Sequence, residues 1–170
     1  MSVLSQTHQE MLATYRNFPA QVEAALADLS EIDLDLTKGE GWSIRQVVHH
    51  LANGQMMFSM CVKAMLGFED VALPFNWYME LTQDEWSAVW AFDRRPLGPA
   101  LAALHSSVDD LADLLAHLPD EVWGRTGHIT FRGQSEPAHL PIEWVIGMLP
   151  QHANGHIQDD ILAIRKLHGK

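Results

Sequence analysis

His152 and His156 stand four residues apart in a segment of strong helical character. Residues at that spacing project from one helix face about 5–6 Å apart. A neutral imidazole is the commonest protein metal ligand, so two on one face can chelate a divalent ion. The apolar rhythm Ile142, Val145, Leu149 leads directly to His152 and His156 and places both on the buried stripe of that helix. The residue after His152 is Ala153 rather than Glu, so the HExxH pairing of two zinc ligands with a general base is absent. Catalytic zinc-like sites use three protein ligands and keep a position open. A third donor must therefore come from another helix, and His49 and His50 are the candidates. The stripe Val47, Leu51, Phe58, Val62 leaves His49 nearly opposite, as a solvated residue, and His50 at its edge. His50 is the better donor, though a boundary histidine satisfied by a hydrogen bond would look the same.

Other residues could contribute. Asp160 lies four residues beyond His156 and could orient its ring, although a solvated helix face is the simpler expectation for Asp159 and Asp160. Trp77, Tyr78, Trp86 and Trp90 could line a pocket, but aromatics at helical spacing more often build a core or an interface. Arg94, Arg95, Arg125 and Arg132 could meet carboxylates of a cosubstrate, with ordinary surface charge as the default. Cys61, the one cysteine, neighbours Phe58 and Val62 and reads as an inert, partly buried thiol.

The elements that must position these residues are helices. Leu4, Met11, Leu12, Tyr15, Phe18, Val22, Leu26 and Leu29 mark a first helix, with a kink or restart expected at Pro19. Ser43 and Gln46 form a capping box that opens a second helix running to about Leu66. Gly67 to Pro96 reads as a long crossover containing one short helix, capped by Thr82 and Glu85. Leu97, Leu101, Leu104, Val108, Leu111, Leu115 and Leu118 mark a third helix. An irregular connection follows from Trp123 to His139, and a last helix begins at Pro141 and runs to about Lys166, with distortion expected near Pro150 and Gly155. No segment alternates convincingly as a strand. The expected fold is an all-α four-helix bundle formed as one domain over residues 1–170.

Composition narrows the function. The 170 residues are 47% hydrophobic and 19% charged, as in an ordinary globular domain, and the formal charge of −11 disfavours nucleic acid. No apolar run has the length of a signal peptide or a membrane span, and the lone cysteine suits a reducing compartment, so a cytoplasmic protein is expected. A homodimer is compatible with a bundle carrying surplus aromatics, but no residue pattern identifies its interface.

GWSIRQVVHHLANGQ, from Gly41 to Gln55, followed about a hundred residues later by the His152/His156 pair, resembles the DinB/YfiT-like family of metal-dependent hydrolases and thiol transferases. The resemblance covers most of the chain. It implies a four-helix bundle and a divalent ion, zinc or nickel, held by three histidines that correspond here to His50, His152 and His156. It also implies small-molecule substrates, and for some members a low-molecular-weight thiol cosubstrate. Four positions depart from the family pattern: Asn53 and Gln55 replace an acidic residue and a histidine, while Met148 and Ala153 replace an aromatic and a further histidine. The expected chemistry is transfer of a thiol, acidified by the ion, to an electrophilic carbon. Hydrolysis by an acidified water needs the same residues, and a non-catalytic metal-binding or ligand-binding bundle is the remaining alternative.

Overall fold

The computed structural model describes residues 4–170; Met1, Ser2 and Val3, which open the polar N-terminal stretch, lie outside it. Four long helices dominate: α1 (Gln6–Ala25), α2 (Ile44–Gly67), α4 (Leu97–Ala116) and α5 (Ile142–His156), with the short α3 (Gln83–Val89) in the crossover. Each begins where its sequence provides for the free N–H groups of a first turn. Ser43 Oγ accepts from Gln46 N while Ser43 N donates to Gln46 Oε1 at 2.9 Å, and Thr82 with Glu85 repeats the arrangement ahead of α3. Pro96 and Pro141 precede α4 and α5, where a missing N–H costs nothing.

The apolar stripes meet in one continuous core. α2 packs chiefly on α4, and α1 packs on both α4 and α5. Leu104, Leu111 and Leu115 of α4 are fully buried there. Each such side chain contributes about 1.5–3 kcal/mol relative to leaving it exposed. No helix among the described residues is long and apolar enough to cross a membrane.

Three departures from the sequence expectation affect the site. α1 runs through Pro19 without a restart, because proline removes one helical hydrogen bond and the buried face of Tyr15, Phe18 and Val22 holds the rest together. The last helix extends to Leu167, and its distortion lies just past Gly155 and His156, as one of the two expected points implied, rather than at Pro150: Ile157–Leu162 is wound as a π-helix before α6 (Ala163–Leu167) resumes. The third departure is a small sheet, so the chain is a helical bundle with a minor β element rather than purely α. Its strands are β1 (Val71–Ala72), β2 (Thr126–Ile129) and β3 (Ala138–Pro141), with β2 parallel to β1 and antiparallel to β3. Strands of two to four residues are too short for alternation to announce them. Gly127 lets β2 pack closely on its neighbours, since a Cβ there would lie 2.5 Å from Leu73 Cδ2 and Leu73 would have to shift.

Candidate metal centre

The approach to α2 sets the first wall. Gly39 and Gly41 take φ of +107° and +106°, a region that disfavours side chains, and the turn they make delivers Trp42 and the capping Ser43. Trp42 donates Nε1–H to Asp84 Oδ1 at 2.6 Å and sets its ring edge-on to His50, 5.0 Å between centroids. Arg45 is buried and ties this end down, reaching Asp35 at 2.7 Å, Glu31 at 2.8 Å and the carbonyl of Arg95 at 3.2 Å.

His49 is buried rather than solvated. It is 0% exposed, pairs through Nε2 with that same Arg95 carbonyl at 3.1 Å, and stacks on Phe92. The segment linking α3 to α4 covers the face of α2 that its own stripe would leave open. His50 projects instead toward α5, as its position at the edge of the stripe implied.

From α5, His152 and His156 complete a group of three. His50 Nε2 lies 3.1 Å from His152 Nε2, the three rings stand at steep angles to one another, and one donor atom from each residue falls within 4.8 Å of the others. His152 remains accessible to solvent at the site's mouth. His156 turns Nδ1 to Asp160 Oδ2 at 2.7 Å, so Asp160 is no freely solvated carboxylate; its other oxygen pairs with Lys38 Nζ at 2.7 Å. With its proton on Nδ1, His156 keeps the Nε2 lone pair free for the group.

The electrostatics favour the neutral form of two of these rings, His50 and His152. Burial, reinforced by His156 and His152, pushes His50 down to about 3, and burial with His156 also lowers His152. Facing lone pairs have no mutual hydrogen bond to gain unless one ring nitrogen carries a proton. Donor atoms sharing one tetrahedral ion stand about 3.3 Å apart, close to the separation of the two Nε2 atoms. The residues therefore fit a divalent ion of the kind that imidazoles hold.

Beside the three histidines lies an apolar cavity of about 260 Å³, walled by Leu51, Phe58, Phe75, Tyr78, Phe131 and Trp144. Among the described residues, no carboxylate, lysine or arginine lines it. His50, His152 and Gln83 also border an open groove shared with Trp42, His156 and Asp160, so the donors stand between solvent and an apolar interior. Of the aromatic set read from sequence, Tyr78 reaches the cavity, with Trp86 and Trp90 stacked behind it. None of the four arginines lines the cavity: Arg125 and Arg132 bind the carbonyls of Leu66 and Glu80. Cys61 is buried away from the site, and burial pushes its thiol up to about 12. Phe75 and Phe131 belong to irregular connections, where no periodicity could assign them to the wall.

The DinB superfamily profile matches residues 14–159, which span all three histidines. The chain belongs to the DinB superfamily. Two relatives, each named "Putative metal-dependent hydrolase", come from Geobacillus kaustophilus and Geobacillus thermodenitrificans. They are 25% and 26% identical over 163 residues, covering 95% of this chain and 85% of theirs. The fold of this DinB-superfamily protein is similar to that of YfiT from Bacillus subtilis, described as "a probable metal-dependent hydrolase with an unusual four-helix bundle topology". That similarity has a TM-score of 0.82 at 23% identity and covers 99% of this chain and 92% of YfiT. Of the four positions singled out in the sequence, Gln55, Met148 and Ala153 line the cavity, while Asn53 donates to the carbonyl of His49 at 2.8 Å.

Proposed function

We propose that the protein is a metal-dependent hydrolase whose zinc or nickel ion is held by His50, His152 and His156, and whose substrates are small molecules with an apolar body. The observation that carries this reading is the convergence of the His50, His152 and His156 imidazoles, two of which line an apolar cavity while all three border the open groove. The names of the Geobacillus relatives support it. Held by imidazoles alone, a divalent ion would keep its full charge, and the chemistry it would supply is polarisation of a carbonyl and acidification of a water or thiol.

The protein's own residues supply position and exclusion. Asp160 fixes the tautomer of His156, and Trp42 buttresses the ring of His50. The wall of Phe58, Phe75, Tyr78 and Trp144 receives the apolar part of the substrate and keeps bulk water from it. The electrophilic carbon then lies toward the groove, where the donors stand.

One observation favours a second reading, transfer of a low-molecular-weight thiol. The cavity carries no carboxylate to serve as a general base, and Asp160 is already engaged by Lys38 and His156. A thiol, far more acidic than water, has less need of one.

The test is to strip tag-free protein with a chelator, restore zinc or nickel, and follow two reactions: hydrolysis of p-nitrophenyl esters, and conjugation of glutathione to a bromobimane. Metal-dependent turnover that disappears in His152→Ala supports the site, and the reaction that runs faster decides the nucleophile. Protein that takes up no metal at these histidines overturns both readings.

A further inference from the structure

The small sheet brings together a second set of donors far apart in sequence. His128 of β2 is the register partner of His139 of β3, so both side chains rise from the same face. Ala72 of β1 pairs with His128 on its other side, which brings Asp70, two residues earlier, to the same place. Asp70 Oδ1 lies 2.9 Å from His139 Nδ1 and 3.6 Å from His128 Nδ1, and it accepts from Thr126 Oγ1 at 3.3 Å. One ligand atom from each of Asp70, His128 and His139 falls within 4.8 Å of the others.

A simple ion pair accounts for only part of this. Asp70 and His139 satisfy one another, but His128 Nδ1 is shielded from solvent and has no hydrogen-bond partner. It faces the carboxylate from beyond hydrogen-bonding range. Shielded polar atoms without partners are uncommon, since each forfeits its hydration. A cation between the three groups would give His128 a partner, and their separations bracket the roughly 3.3 Å expected of donors on one tetrahedral ion. The formal charge of −11 draws cations toward the surface.

We propose that Asp70, His128 and His139 bind a second divalent ion of the zinc class, separate from the bundle centre and held by two imidazoles and a carboxylate. This mixed nitrogen and oxygen set suits zinc, nickel or cobalt better than calcium or magnesium. The ion clips the end of α2 to the hairpin of β2 and β3. That hairpin's loop carries Phe131 into the cavity wall, so the clip fixes one side of the cavity.

The experiment uses tag-free, chelator-stripped protein carrying His152→Ala and His156→Ala, so that only His50 of the three bundle donors is left. Zinc is titrated calorimetrically into this protein, and into the same protein carrying His128→Gln and His139→Gln in addition. One equivalent of zinc bound by the first and lost in the second is expected. Asp70→Asn in the first background guards against misfolding of the four-site variant and should weaken the same binding. Imidazole nitrogen NMR should place the zinc-induced shifts on His128 and His139. Absence of zinc binding in the bundle-deficient protein overturns the proposal, as does binding that survives His128→Gln and His139→Gln in folded protein. The two centres fail separately: without a bundle ion, wild-type and bundle-deficient proteins bind the same single equivalent. Without the sheet ion, only the wild type binds one.

Discussion

The ring of His156 is held by Asp160, one turn further along the same helical run, at 2.7 Å between Nδ1 and Oδ2. Burial of Asp160 works to raise its pKa, but hydrogen bonds from Lys38 and His156 outweigh this and keep the carboxyl below its ordinary range. Asp160→Ala should therefore weaken metal binding about 10–100-fold, the usual cost of removing a carboxylate that orients a metal-binding histidine. Lys38→Ala removes only an exposed partner and should do less, since exposed ion pairs contribute about 0–1 kcal/mol. Competition with a chromophoric chelator measures both. Equal losses in the two variants would mean that charge balance, rather than ring orientation, is what Asp160 provides.

The neighbours His49 and His50 should give opposite results. His49→Ala opens a cavity against Phe92 and leaves the Arg95 carbonyl without its imidazole partner, so it should cost about 2–4 kcal/mol in urea unfolding. Its effect on metal uptake should be small. His50→Ala should abolish metal uptake and leave the apo-protein nearly as stable as before, because it relieves a buried imidazole crowded by two others. Metal lost in His49→Ala but kept in His50→Ala would reverse the assignment of the third donor.

The surroundings of His49 and His50 differ in how far they depend on α2 alone. The stripe Val47, Leu51, Phe58, Val62 puts His50 at its edge, and the i,i+4 spacing on α5 puts His152 and His156 on one face; the structure brings donor atoms of all three within 4.8 Å of one another. The burial of His49 depends on residues more than forty positions away, around Phe92 and Arg95, and no periodicity within α2 carries that information. The same holds for the cavity and the sheet. Phe75 and Phe131 enter the wall from connections without repeating pattern, and His128 meets His139 through a register that strands of four residues cannot advertise. Local signals fix the helices, their caps and the shared face of His152 and His156; what the crossover covers is decided by tertiary packing.

Acid should destabilise the protein partly through Asp33. Its carboxylate pairs with Lys170 at 2.7 Å and accepts from Ser30 N at 2.9 Å and Ser30 Oγ at 2.6 Å, contacts that hold it well below the usual carboxylate range. The unfolded chain then binds a proton that the folded chain refuses, so stability rises with pH across this interval. The contribution is fully present above the ordinary carboxylate value near 4 and is lost as pH falls through the depressed one. Asp33→Asn should be less stable than wild type at pH 7 and should show a flatter decline between about pH 5 and pH 2. Urea midpoints at a series of pH values test this, and parallel curves would exclude Asp33 as a source of the acid limb.

The role of the cavity can be tested by filling it. Gly54 lies on α2 one turn beyond His50 and lines the cavity, and a Cβ built there meets nothing within 4 Å. Its backbone is helical, so a side chain brings no strain, and replacing glycine in a helix interior gains about 0.5–1 kcal/mol. Gly54→Leu should therefore fold at least as well as wild type and retain its metal, while four new carbons occupy the space assigned to the substrate's apolar body. For esters with long acyl chains, kcat/KM should fall about tenfold or more, equivalent to about 1.4 kcal/mol of lost transition-state binding. Acetyl esters, which need little of the cavity, should be nearly unaffected. The ratio of the two rates is the informative quantity, because a general disturbance of the histidines would lower both together. An unchanged ratio would mean that substrates reach the three histidines from the groove alone and that the apolar cavity belongs to the core rather than to catalysis.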